Sequence, residues 1–332
     1  MIFNENTRLK MPAKYIELYL NSSNIIKGHC FVIGVDKGIE SKNYFIYVGN
    51  KNNLKYILKI YSESKDEELK YEIEILNNLN LKNNNKFFPE IQKEFFYINK
   101  RPSIILKYIK GHVLTKKELS PFIIKKIARK QAKMHLSLIN FIPKHKKNRF
   151  SIFDFSFVSL FLKNNKNSYY SVLKNEVKIL KQESKSFIET KFKKSVIHED
   201  LTSENIILTK KGGVNFIDFG ESHRAEIISD IAIVIKEIII NNKGVNFGLI
   251  RDYLNSYQKI IRLSNDETGA LLFLLKRRTV FMLAYYLGRY EINNSIKFKR
   301  KIVTEVKVLK ILQKNSCLIK NFINRYNNDN DE

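Results

Sequence analysis

The chain has 332 residues, 44% of them hydrophobic, enough to bury a sizeable core in one unit without calling for a second independent domain. Its formal charge of +26, from 59 basic and 33 acidic side chains, is spread with asparagine and isoleucine over nearly every segment, so it reads as compositional bias and carries no expectation of a specific nucleic-acid partner. Cys30 and Cys317 are too few for a disulfide framework, the start lacks the pattern of a secretory signal, and the longest apolar run, residues 231–240, is interrupted by Lys236 and Glu237, well short of the ~20 residues a span needs; the expectation is a cytoplasmic protein with no membrane partner.

Residues 12–24 predict an amphipathic helix, with Ile16, Leu18, Tyr19 and Leu20 among polar neighbours. Gly28, Gly34 and Gly38 punctuate the next stretch. Alternating aromatics from Tyr44 then predict a strand that turns through residues 50–53 into a second strand over 54–61. Lys59 lies inside that second apolar run, and an ammonium on a buried strand needs an anionic partner because an unpaired charge there is costly. A helix over residues 65–80, with Leu69, Ile73, Leu76 and Leu79 on one face, offers Glu72 beside that face, with Glu74 as the competitor. Strands continue over 86–110. The last of them, running from Ser103 to Ile109 and closed by Gly111, reads as a connector between lobes, as an edge strand of the same sheet, or as both.

At Ser120 and Pro121 the period changes from two to 3.6. A capping serine and a proline in the first turn precede Phe122, Ile124, Ile127, Ala128, Gln131, Ala132 and His135 along one helix, where His135 reads as a satisfied core residue. Residues 141–195 are rich in lysine and aromatics, with one helix over 169–188. Two more helical stretches, 266–290 and 298–326, finish the chain.

The most informative stretch is residues 196–220. His198-Glu-Asp200 is followed by Asn205, an apolar strand over 206–208, a turn at Lys211-Gly-Gly213, a returning strand over 214–217, and Asp218-Phe-Gly220. A hairpin of that size brings Asn205 and Asp218 to the same end, where their hard oxygens suit Mg²⁺, and leaves Asp200 to orient a hydroxyl attacking the γ-phosphate of ATP. Either motif alone is weak; both in this order point to a nucleotide-dependent kinase site. His198 reads as a scaffold residue that bonds backbone, and Asp230 as a cap on the next helix or a brace for the catalytic loop. On this reading Lys59, paired with Glu72, grips the α- and β-phosphates, and the loop at Gly38, with Ser41 and Asn43 just beyond it, lies over them. The exposed backbone at Lys107, Tyr108 and Ile109 would meet the adenine edge.

Residues 196–235 resemble the catalytic segment of the aminoglycoside phosphotransferase, choline kinase and type II homoserine kinase superfamily. Gly38-Ile-Glu-Ser-Lys-Asn-Tyr-Phe45 is similar to the nucleotide loop of type II homoserine kinases, and Ile127-Ala-Arg-Lys-Gln-Ala-Lys-Met-His135 resembles the family's helix ending in histidine. Gly111-His-Val-Leu-Thr115 is similar to choline and ethanolamine kinases, and the Asp218-Phe-Gly220 form of the metal motif to hydroxylysine kinases. The resemblance implies an α+β, bilobal, protein-kinase-like fold. Residues 1–110 would form a small lobe of antiparallel sheet with one key helix and a hinge near 106–110; residues 111–332 would form a larger, mostly helical lobe carrying the catalytic loop. It also implies ATP, Mg²⁺ and a small-molecule alcohol: first a homoserine-like amino acid or amino alcohol, with choline, ethanolamine, hydroxylysine or an aminoglycoside as alternatives.

Two departures stand out. The chain has no tryptophan for the aromatic box of choline kinases, and it keeps Gly220 where homoserine kinases often vary that position. Asp218 and Asp230 are only twelve positions apart, which leaves no room for the activation segment of a protein kinase. The reading from another class is a catalytically inactive kinase-shaped binding protein. The presence of Lys59, Glu72, Asp200, Asn205 and Asp218 together weighs against it.

Overall fold

The computed structural model describes residues 11–35, 41–82, 88–145, 151–164, 169–240 and 244–331. Five strands, β1 (Cys30–Val35), β2 (Ser41–Val48), β3 (Leu54–Tyr61), β4 (Ile91–Ile98) and β5 (Arg101–Lys107), form an antiparallel sheet in the order β1-β2-β3-β5-β4. Because side chains alternate along a strand, each face is covered by a different helix. Val32, Tyr44, Ile46, Leu58, Ile60 and Ile105 pack with Ile16 and Leu20 of α1 (Ala13–Ser23). On the opposite face Tyr61, Ile104 and Leu106 join Leu69, Ile73, Leu76 and Leu79 of α2 (Asp66–Lys82). Lys59, two residues before Tyr61, shares the α2 face.

The strand expected over 103–109 is β5, and it is not an edge. It lies between β3 and β4 and stops at Lys107, because the hairpin from β4 adds a strand on its outer side and takes up its second row of backbone groups. Just beyond, Gly111 passes against the backbone of a later strand: a Cβ there would stand 2.3 Å from the carbonyl oxygen of Leu208 and 2.6 Å from Cγ2 of Ile207. Only glycine allows that approach.

The remainder is mostly helical: α3 (Pro121–Leu138), α4 (Ser156–Asn164), α5 (Tyr170–Glu183), α6 (Ile227–Val234), α7 (Phe247–Gln258), α8 (Asn265–Gly269), α9 (Leu271–Asn293), α10 (Ile296–Lys314) and α11 (Ser316–Asp331). Ser120 caps α3, its Oγ accepting from the N–H of Ile123, with proline in the first turn as its sequence suggested. Each of the last two expected helices is divided. Ser264 and Glu267 form a capping box that starts the short α8, and α10 gives way to α11 at Asn315, whose side chain bonds back to the carbonyl of Ile311. Short strands stitch the catalytic segment into this body. β6 (His112–Val113), β8 (Ile206–Leu208) and β9 (Val214–Phe216) form one antiparallel sheet, and β7 (Lys194–Ile197) pairs with β10 (His223–Glu226). One hydrophobic core runs from α2 through α3 and α6 into α9 and α10. Among the described residues no helix is long and apolar enough to cross a membrane.

Candidate active site

Lys59 is buried in the centre of the sheet, and its Nζ lies 2.9 Å from Oε1 of Glu72 and 2.9 Å from Oδ1 of Asp218. Tyr61 donates its hydroxyl to the other oxygen of Glu72. Burial works against a charged lysine, but the carboxylates of Asp218 and Glu72 more than offset it and hold the ammonium well above the ordinary lysine range. Lys59 in return keeps the Asp218 carboxyl below the usual aspartate range, although burial opposes that shift. Glu74, the competing partner, points elsewhere: it accepts from the N–H of Lys144 at 2.7 Å and from His145 at 2.6 Å.

The catalytic segment folds as its spacing suggested. β8 and β9 are antiparallel neighbours, and the N–H of Ile217 donates to the carbonyl of Asn205 at 3.0 Å, which sets Asn205 beside Asp218. Glu199 (φ +64°) and Asp218 (φ +66°) are non-glycine residues in left-handed conformation, a strained backbone that recurs at functional loops. Packing fixes both turns. Phe219 is buried against Phe88 and the ring of His198, and His198 donates from Nε2 to the carbonyl of Ile217 at 3.0 Å. Asp230 lies inside α6, so it does not cap that helix. Its carboxylate accepts from the N–H of His198 at 3.2 Å and of Glu199 at 2.8 Å, from Gln131 at 2.8 Å and from His135 at 3.0 Å. Complete burial would raise its pKa, but these donors, His135 first, hold it down to about 2. His135 is itself buried, with its other ring nitrogen 2.6 Å from the Tyr257 hydroxyl.

Asp200 faces this loop's open side with its side chain 40% exposed. Nδ2 of Asn205 donates to the main-chain oxygen of Asp200 at 2.7 Å and to Oδ2 at 3.0 Å, which leaves the Asn205 carbonyl oxygen for another partner. That oxygen and the half-exposed carboxylate of Asp218 are hard donors suited to Mg²⁺. Among the described residues no group of three or more His, Cys, Asp or Glu side chains could hold a metal ion alone. Phosphate oxygens and water would complete the shell, as Mg²⁺ prefers.

Ser41 and Asn43 open β2 directly across from Tyr61 and Lys59, so they share the end of the sheet where Lys59 points. Gly38 lies outside the described residues. In the connector, the N–H of Lys107 is taken by the carbonyl of Glu90 and that of Tyr108 by the carbonyl of Lys55, each at 2.8 Å; of the three expected contacts, only the N–H of Ile109 has no partner among the described residues.

Three residues that the sequence did not single out lie beside Asp200. Arg278 of α9 places Nη2 3.3 Å from Oδ1 of Asp200, and Glu199 and Glu237 lie 3.7 Å from the same guanidinium. The available signal was a run of three basic residues, Lys276-Arg277-Arg278, between the apolar stretches of α9.

The sequence model of the phosphotransferase enzyme family matches residues 32–260, more than half of the chain. A homoserine kinase from Methylobacillus glycogenes is 25% identical over 247 residues, covering 71% of this chain and 73% of that protein. Among solved structures, an amicoumacin kinase in complex with AMP-PNP and Ca²⁺ superposes with a TM-score of 0.70 at 14% identity, covering 90% of this chain and 93% of that one. A choline kinase from Cryptosporidium parvum superposes with a TM-score of 0.66 at 18% identity, covering 94% and 98%. At those identities the superpositions describe the fold.

Proposed function

The chain belongs to the phosphotransferase enzyme family and is a small-molecule kinase, and from that premise we propose that it moves the γ-phosphate of Mg·ATP to the hydroxyl of an amino acid or amino alcohol, homoserine first among them. The observation that carries the reading is Lys59, bridged at 2.9 Å to both Glu72 and Asp218, beside the paired Asp200 and Asn205. Residues 1–110 hold the nucleotide, with Ser41, Asn43 and Ile109 about it, and residues 111–332 supply the catalytic loop and the acceptor pocket. Lys59 neutralises phosphate charge while Glu72 holds its ammonium in place. Asn205 and Asp218 would hold Mg²⁺, which when bound would supply positive charge against the charge that develops on the phosphates. Asp200 takes the proton as the acceptor oxygen bonds to the γ-phosphorus, and the bond from that phosphorus to the β-phosphate oxygen breaks to release ADP.

Homoserine is supported by the likeness to a homoserine kinase, and nucleotide with a divalent cation by the complex seen in the amicoumacin kinase. The cytoplasm, which supplies ATP and would keep Cys30 and Cys317 as the free thiols they are here, is the compartment this reading assigns. The test is ATP consumption with homoserine, hydroxylysine, ethanolamine, choline and an aminoglycoside in turn, for the parent and for Asp200→Asn. Loss of the base should lower the rate by about 10²- to 10⁴-fold. Tight Mg·ATP binding without turnover of any acceptor would favour the inactive binding protein instead.

A further inference from the structure

Asp200 is held by both of its carboxylate oxygens. Oδ2 accepts from Asn205, and Oδ1 faces Nη2 of Arg278, a residue 78 positions away that is only 9% exposed. Neutralising a guanidinium takes one carboxylate, yet three converge on Arg278, and two of them, Glu199 and Asp200, are neighbours on the catalytic loop. The backbone of that loop is pinned from the core side by Asp230 through the N–H groups of His198 and Glu199. Arg278 pins its side chains from the other. A planar guanidinium with donors in a fixed fork suits that task, since it can face several oxygens at set angles where an ammonium acts as a point charge.

The third carboxylate is placed by a departure from regular helix. After α6 the chain widens into a π turn over Ile235–Ile239, a form found mostly as single turns at functional sites. It presents Glu237 to Arg278 and Lys236 to Glu237 at 2.9 Å and to Glu305 of α10 at 2.7 Å. Lys236 and Glu305 are both buried. A line of alternating charges thus runs from α10 through the π turn and α9 to Asp200.

We propose that Arg278 is a positioning residue for phosphoryl transfer: it holds the Asp200 carboxylate in the orientation that receives the acceptor's proton, and Glu237, carried by the π turn and braced by Lys236, holds Arg278 in turn. The inference rests on the reading of Asp200 as the base, and its test separates the two. Turnover of Mg·ATP is measured with L-homoserine, or with water as the acceptor should homoserine be inert, for the parent, Asp200→Asn, Arg278→Gln, Arg278→Ala and the double variant Asp200→Asn/Arg278→Gln. With Arg278→Gln, kcat should fall about 10²-fold, the scale of a misplaced catalytic group, while KM for Mg·ATP stays within about twofold. Added guanidinium should restore part of the rate to Arg278→Ala. In the Asp200→Asn background, loss of Arg278 should cost nothing further, because a residue that acts through another is not additive with it.

Glu237→Gln is the milder second variant in case the arginine substitutions do not fold, with an expected fall in kcat of about tenfold at unchanged KM for Mg·ATP. An unchanged kcat in Arg278→Gln, or an equal further loss in the double variant, overturns the positioning role and leaves the base reading intact. An Asp200→Asn protein as fast as the parent removes the base reading itself.

Discussion

Asp230→Asn tests how the catalytic loop is held. The parent carboxylate is fully buried and accepts four hydrogen bonds, two from the main chain of His198 and Glu199 and two from the side chains of Gln131 and His135. With its pKa held down to about 2, Asp230 contributes on the order of 2.5 kcal/mol to stability near neutral pH. The sign follows from the depressed value: the contribution is present above about pH 4, where the unfolded carboxyl is also ionised, and is lost as pH falls through about 2. Asparagine keeps one accepting oxygen but turns an amide N–H₂ toward groups that are themselves donors. Oδ1 accepts from Glu199 alone and Oδ2 from the other three, so one to three donors lose their acceptor, at about 1–3 kcal/mol each. The two routes overlap at a loss of about 2–5 kcal/mol, which for a chain of this size lowers the melting temperature by about 3–7 °C.

The catalytic consequence comes from the same bonds. Two of the donors are the backbone of the loop that carries Asp200, so kcat should fall about 10²-fold at temperatures where the variant is folded. The assay is thermal melting by circular dichroism at several pH values, with steady-state turnover at neutral pH. The gap in melting temperature between parent and variant should be constant above about pH 5 and shrink below about pH 4. A variant that melts within about 1 °C of the parent and turns over at the parental rate would refute the reasoning.

Glu72→Gln removes the carboxylate that holds both Lys59 and Tyr61 and should lower kcat/KM for Mg·ATP about 10²-fold, whereas Glu74→Gln, whose partners are Lys144 and His145, should stay within about twofold; similar losses in the two would contradict the pairing seen here. Gly111→Ala would press a methyl group to 2.3 Å from the fixed carbonyl of Leu208, costing about 1–3 kcal/mol, and an unchanged urea midpoint would show that the crossing has room to spare.

Much of the site was legible because its parts are close in sequence. Asn205 and Asp218 are joined by one hairpin, so strand, turn and strand bring them together whatever the rest of the chain does. Lys59 was legible for a different reason: a lone ammonium in an apolar run announces a buried charge, and the pattern of α2 limited its partner to two residues. Choosing Glu72 over Glu74 took the rotation of α2 against the sheet. Whether β5 was an edge strand depended on where β4 would pair. Asp230 could cap or brace from its sequence position; its place inside α6, facing groups 31 to 99 residues away, made it a brace.

The sequence by itself determined which groups are candidates for the chemistry and the local turns that present them, since hydrophobic period, turn residues and motif spacing act over a few to about twenty residues. Only the tertiary structure decided what holds those groups still. Arg278 is one of 59 basic side chains until α9 packs beside the catalytic loop, and Glu237 reaches it through a π turn that a 3.6-residue period cannot announce. Long-range contacts of this kind follow from how whole faces pack, and a charge acquires its role from the neighbours that packing puts within about 4 Å of it.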